Sequence, residues 1–309
     1  MAEIVPGLAE FIAGAGNFVT DPAPALQAML TASRAPPAQC YDIACQAAEA
    51  WQLGQPYRAA IARVAEAADR SGLANAYHNP GHTRDVVIAW IYLAALHDHL
   101  AASGAASYRL SNEHRAAGII AALGHDLLHD ANSEPRISPA GHAVPFRLET
   151  IAAAHTADLL AACGLQEAAG RIVGAAIIAT DPVWGYAALA RAARGEAPGG
   201  HSALAALTDR GCWLVAAILR DADLMTSAGL TAAEHDRQAA LLTHEKGEPA
   251  GTAAASERFF RDTVGDGFSS PAGALFTQRL QALRAANAAR LRSGAAMTLA
   301  EAAHHIAGT

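Results

Sequence analysis

Several residue classes are scarce in this chain, and each scarcity removes an explanation. The four cysteines, Cys40, Cys45, Cys163 and Cys212, form no C-x-x-C pair, so neither a zinc ribbon nor a thioredoxin-type motif is present. Free thiols in a reducing compartment are the expectation. Lys and Arg number 22 against 29 Asp and Glu, a net charge of −7. No basic stretch offsets that balance, which argues against a partner held through a nucleic-acid backbone. Uncharged apolar runs fall short of the roughly 18 residues of a membrane span. The N-terminal stretch lacks a basic region and carries Glu3 and Glu10, so it does not read as a signal peptide. These absences lead us to expect a cytoplasmic protein with neither membrane nor nucleic acid as partner.

Hydrophobic residues make up 52% of the 309 and aromatics only 6%. Alanine dominates many segments and β-branched runs are short, which points to an all-α fold. Asp21-Pro22 reads as a helix start, and Pro36-Pro37 as a break. Helices are expected at 39–51, 56–71, 86–100, 147–163, 167–179 and 212–226, with another from Ser111 through Leu127. The stretch 130–145, rich in Asn, Ser, Pro and Gly, reads as a long loop beside a histidine cluster. Thr231 with Glu234, and Thr298 with Glu301, match capping boxes. No repeat or polar linker divides the chain. One helical domain, 1–309, is expected, with N-terminal helices at 1–70, a core at 71–229 and C-terminal helices at 230–309.

The chain holds 14 histidines, roughly twice an average share, and three segments concentrate the chemistry. In Tyr77-His78-Asn79-Pro80-Gly81-His82, the two histidines lie about 6 Å apart on one face if the turn is helical. In Gly124-His125-Asp126-Leu127-Leu128-His129, His125 and His129 share a face under the same condition. In Leu219-Arg220-Asp221-Ala222-Asp223-Leu224, carboxylates end an apolar helix. Imidazole suits zinc and iron, while carboxylates suit Mg²⁺ or Mn²⁺. A mixed set therefore suits two ions about 3.5–4 Å apart that share a hydroxide nucleophile and neutralise phosphate charge.

These segments resemble the HD superfamily of metal-dependent phosphohydrolases, and within it the class I cyclic-nucleotide phosphodiesterases and their bacterial relatives. His78-Asn79-x-x-His82 follows the Y-H-N-x-x-H pattern, and His125-Asp126-x-x-His129 the H-D-x-x-H pattern. Leu148-Glu149, Ile178-Ala179-Thr180-Asp181 and Ala222-Asp223-Leu224 continue in family order, so the likeness covers about residues 77–225. The resemblance implies an all-helical phosphodiesterase-like bundle with helical additions at both ends. It implies His82, His125, Asp126 and Asp223 as ligands of a tight site for Zn, Fe or Mn, with Asp126 bridging to a second ion, Mg or Mn. His129, Glu149 and Thr180 would hold waters around that ion, and Asp181 would buttress a histidine. His78 would be the general acid that protonates the leaving oxygen.

The implied activity is hydrolysis of a small phosphoester, foremost a cyclic nucleotide or another phosphodiester. Phosphomonoester hydrolysis, a di-iron oxygenase and a nucleotide sensor without turnover are the alternatives; the oxygenase would use His155. The family's purine-selecting Gln and Phe clamp has no matching Gln here. Phe268 or Phe260 could stack on a base, although aromatics are more often core. Arg136 and Arg147, flanking the long loop, could clamp a phosphate. A homodimer is compatible with the apolar, Ala-rich helices.

Overall fold

The computed structural model describes residues 4–14, 21–130, 145–165, 168–247, 253–265 and 267–293. These form fourteen α-helices: α1 (Leu8–Ile12), α2 (Ala23–Ala32), α3 (Cys40–Ala50), α4 (Gln55–Ala68), α5 (Pro80–Ala102), α6 (Asn112–Gly124), α7 (Arg147–Ala161), α8 (Ala168–Ile178), α9 (Trp184–Ala193), α10 (Arg210–Ala228), α11 (Ala232–Glu245), α12 (Ala253–Phe259), α13 (Pro271–Ala274) and α14 (Thr277–Ser293). A 3-10 turn, Ser202–Thr208, precedes α10, and a π-helical turn, Phe260–Val264, continues α12. No strand occurs among the described residues. The all-α expectation holds.

The bundle is organised around α5, which packs against α2, α3, α6, α10 and α13. Surrounded on all sides, it has no polar stripe, and every residue from Val86 to Ala95 is buried. Its length and apolarity would suit a membrane span, but most of it lies inside the protein. Helix α6 comes very close to α5: a Cβ on Gly118 would lie 1.7 Å from the Trp90 ring. Only the missing side chain lets that indole lie against the α6 backbone. Helix α10 completes the core, touching α5, α6 and α8.

Among the helix ends that differ from the sequence expectation, two place site residues. Helix α5 begins at Pro80, six residues before the expected start. The Asn79 side chain accepts hydrogen bonds from the N–H groups of Gly81 (2.8 Å) and His82 (3.2 Å), and proline at the first position costs no hydrogen bond. His82 therefore sits in a rigid first turn. Helix α6 stops at Gly124, three residues early, and Leu128 takes a left-handed conformation (φ 63°). His125 and His129 consequently do not share a helix face. Helix α9 and the 3-10 turn were not expected. The Thr231 hydroxyl caps α11 through Glu234 N–H (3.2 Å). The reciprocal half of that box is replaced by bonds from Glu234 to Arg34, Arg237 and Gln238. The second box, Thr298 with Glu301, lies outside the described residues.

Arg34, just past α2, reaches Asp85 on α5 (Nε 3.1 Å) and Glu234 on α11 (2.9 Å). Arg237 adds a second contact to Glu234 (2.9 Å) and Arg84 one to Asp85 (3.1 Å). Burial alone would raise the Glu234 carboxyl, but Arg237 and Arg34 outweigh it and hold it down to about 2. A carboxyl depressed on folding stabilises fully above its unfolded value, near 4.5, and loses that stabilisation as pH falls toward 2. Glu234→Gln should therefore cost on the order of 2–3 kcal/mol at neutral pH, with the gap from wild type closing between pH 4.5 and 2. Denaturant unfolding followed by circular dichroism across that range checks this; a gap independent of pH would refute it.

Candidate metal centre and cavity

A cavity of about 770 Å³ opens over the ends of α6, α8 and α10 and the start of α7. At its floor four donors converge from three parts of the chain. His82 Nε2 stands 3.3 Å from Asp126 Oδ2 and 3.4 Å from Asp223 Oδ1. His125 Nε2 stands 3.1 Å from the same Asp126 oxygen and 3.4 Å from His82 Nε2. The His125 Nδ1 edge meets the Ala122 carbonyl at 2.9 Å, which fixes Nδ1 as the protonated nitrogen and turns the Nε2 lone pair to the centre.

Asp126 Oδ2 is buried yet accepts no hydrogen bond. The imidazoles are close to it but do not point N–H bonds at it, so the contact is electrostatic. A buried, unpartnered carboxylate oxygen is costly. The group needs positive charge. Burial opposes it, but the nearby carboxylates of Asp126 and Asp223 lift His82 to about 10. Burial also resists ionisation of Asp126, yet the surrounding histidines hold its carboxyl well below the usual range. Two imidazoles and two carboxylates crowded around one orphaned oxygen fit a divalent cation, and His82, His125 and Asp126 could hold one.

A second group lies beside the first. His78 precedes α5; its Nδ1 meets Glu245 Oε1 at 2.5 Å, while Oε2 accepts the N–H groups of Tyr77 (2.7 Å) and His78 (2.9 Å). His129, swung aside by the left-handed Leu128, stacks on His78 with ring centres 3.7 Å apart. Asn75 ties both segments by donating to the carbonyls of His78 (2.9 Å) and His129 (3.0 Å). Burial would raise Glu245, but His78 and the two backbone donors bring it down to about 2. Burial and then the charge of His78 push His129 down to about 4. Sequence reading missed Glu245. The available signal was local: an acidic side chain in the last turn of a helix opposes the helix dipole, so another partner must hold it there.

The remaining expected residues divide. Glu149, in the first turn of α7, lines the cavity. Burial, then the charges of Asp181, Asp126 and Asp223, push it up to about 7. Thr180 also lines the cavity, its hydroxyl donating to the Ile177 carbonyl (2.7 Å). Asp181 was expected to buttress a histidine. Instead its carboxylate accepts backbone N–H groups from Phe146 (3.2 Å), Val183 (2.9 Å) and Trp184 (2.7 Å). It joins the start of α7 to the start of α9. Arg147 lines the cavity and pairs with Asp130 (3.1 Å), while Arg136 lies outside the described residues. Phe268, expected as a possible substrate contact, packs on the core beside Gly273 and does not line the cavity. Phe260 is fully buried and stacked on His235. His155, on α7, is not among the lining residues. Asp221 is buried and accepts the N–H groups of Ser269 and Ser270, both at 2.7 Å, so it is not a fifth donor.

No family model matches the sequence, and no curated protein matches it. Solved structures do. The phosphodiesterase domain of the RhoPDE fusion protein from the choanoflagellate Salpingoeca rosetta superposes with a TM-score of 0.56 at 16% identity, over 92% of this chain and 98% of that one. The phosphodiesterase domain of the same organism's rhodopsin phosphodiesterase gives 0.56 at 18%, over 84% and 90%. LmjPDEB1 in complex with IBMX gives 0.55 at 19%, over 93% and 98%. The chain has the fold of these phosphodiesterase domains, an all-helical bundle, as the sequence led us to expect.

If the four donors form a cation site, Mn²⁺ added to chelator-stripped protein should raise the melting temperature by roughly 3–8 °C at saturating ion. Asp126→Asn should abolish the shift while leaving the metal-free protein folded. An equal shift in both proteins would dismiss the site.

Proposed function

We propose that this chain is a metal-dependent hydrolase of small phosphoesters, with phosphodiesters such as cyclic nucleotides the best-suited class. One observation carries the reading: a two-histidine, two-carboxylate centre and a histidine held by a buried glutamate share one cavity. The phosphodiesterase-domain fold supports it, and the cavity volume suits a nucleotide-sized ligand.

His82, His125, Asp126 and Asp223 would hold a tight ion, Zn, Fe or Mn. Asp126, with Glu149, Thr180 and His129 around it, would face a second, Mg or Mn. Bound divalent ions supply water activation and neutralise the phosphate charge. The chain's own residues do the rest. Glu245 takes the Nδ1 edge of His78, so Nε2 is the nitrogen left to donate a proton to the leaving oxygen. His129, kept neutral, stacks on that ring and limits its rotation without competing for the proton. Asp181 fixes the first turn of α7 through Phe146 and thereby the position of Glu149. Arg147, at the cavity edge, is placed to meet a phosphate oxygen.

Metal analysis of the purified protein followed by a phosphoester screen tests the reading directly. His78→Ala should lower turnover of a cyclic nucleotide, a poor leaving group, by about 10²–10⁴. Turnover of a 4-nitrophenyl phosphodiester, whose leaving oxygen needs no proton, should fall far less. Glu245→Gln should show the same selectivity with a smaller loss. Equal losses on both substrates would remove the acid role from His78, and no hydrolysis across the screen would remove the function.

A further inference from the structure

Several hydroxyl groups line the cavity, and three of them spend their proton on the main chain. Ser227 donates to the Asp223 carbonyl (2.8 Å), Thr180 to that of Ile177 (2.7 Å) and Thr243 to that of Ala239 (2.6 Å). A hydroxyl held in that way has no base beside it to take the proton. Ser256, half-buried on α12, differs. Its Oγ lies 2.9 Å from Nε2 of His235 on α11, and both residues line the cavity.

The surroundings of His235 set the direction of that bond. Its Nδ1 meets the Ala228 carbonyl at 2.9 Å. A carbonyl oxygen can only accept, so Nδ1 carries the ring proton. Burial pushes the imidazole below its usual range and so keeps a second proton off the ring. Nε2 is left to accept the Ser256 O–H. Phe260 stacks on the imidazole with ring centres 5.0 Å apart, which fixes the plane of the ring. A nucleophile, a base and a group that orients the base therefore stand in line, with a carbonyl as the orienting group. The wall beside them is apolar. Ala239 and Leu242, four and seven residues on from His235, and Phe259, three on from Ser256, share their helix faces and line the cavity.

We propose that Ser256, with His235 as its general base, is a nucleophile toward carboxylic esters whose acyl chain is short and apolar. Ser256 Oγ attacks the ester carbonyl carbon as its proton passes to His235 Nε2. The bond from that carbon to the alcohol oxygen breaks, and the alcohol leaves with the proton. Water then attacks the acyl-serine and gives a proton to Nε2. Oγ departs, recovers that proton, and the carboxylic acid is released. The cycle uses only the ester, water and these two side chains, and nothing is oxidised or reduced. It is independent of the phosphohydrolase reading, so either activity can stand without the other.

The test uses the full chain stripped with a chelator, so that metal-dependent hydrolysis is silent. A fluorophosphonate stops the cycle at its first stage, because Oγ displaces fluoride from phosphorus and the adduct persists. Mass spectrometry should find one adduct per wild-type chain, on Ser256. His235→Gln should slow labelling by about 10²–10⁴. With 4-nitrophenyl butyrate, wild type should release 4-nitrophenolate, Ser256→Ala should not, and Ser227→Ala should match wild type. The wild-type adduct decides the proposal by itself, whatever the variants do to packing. No adduct overturns it, as does an adduct on Ser227 or Lys246 in place of Ser256. Labelling as fast in His235→Gln as in wild type removes the base and with it the proposal.

Discussion

The constraint on which the structure turns is one carboxylate oxygen. Asp126 Oδ2 is buried, lies within 3.3 Å of two imidazole nitrogens, and accepts a hydrogen bond from neither. An arrangement of that kind is unfavourable, because the oxygen has lost water without gaining a directed partner. It persists because α5, α6 and α10 pack against one another through dense apolar contacts that leave their donor-bearing ends no alternative position. The core imposes the crowding, and positive charge relieves it. A divalent cation at that point would supply it.

The second consequence concerns how two kinds of histidine are kept apart within a few ångströms. His82 and His125 turn their Nε2 edges inward to the carboxylates, whereas His78 turns its Nδ1 edge to Glu245. His78 and His82 rings lie only 5.9 Å apart, so composition alone would not separate the two environments. The hydrogen-bond partner decides. A backbone carbonyl stands behind His125 and a carboxylate behind His78.

Much of this was legible in the sequence, and what was not has identifiable reasons. Alanine-rich segments with Pro, Asn and Ser at their starts gave the helices, since caps and propensity are local properties. His82, His125, Asp126 and Asp223 stood out through the resemblance to the HD phosphohydrolases, whose motif elements recur here in family order. Glu245 was missed because its partner is 167 residues away and no spacing rule spans that distance; its place in the last turn of α11 says only that it needs some partner. The early end of α6 was hidden for a different reason: Leu128 takes a left-handed conformation with no Gly or Asn to announce it, so helical spacing wrongly put His129 on the His125 face. Phe268 takes the use more common for an aromatic, core packing, with a close approach to Gly273.

The C-terminal helices belong to the site for a geometric reason. Arg34 bonds at once to Asp85, one turn along α5 from His82, and to Glu234, in the first turn of α11. From Glu234 to Glu245 the helix rises about 16 Å, and its far end meets His78. A rigid rod pinned at one end to the helix that carries His82 thus presents a carboxylate at the other end to His78. Breaking one partner of such a network is costly, although replacing the whole of it by apolar residues would cost little, so its distinctive contribution is orientation. Orientation is what the proposed proton donor would need: a shift of about 1 Å between acid and reacting oxygen is enough to cost two orders of magnitude in rate. The Arg34 network therefore does at a distance what Glu245 does in contact, and the spacing between His78 and the His82 centre is set by helix length rather than by a loop.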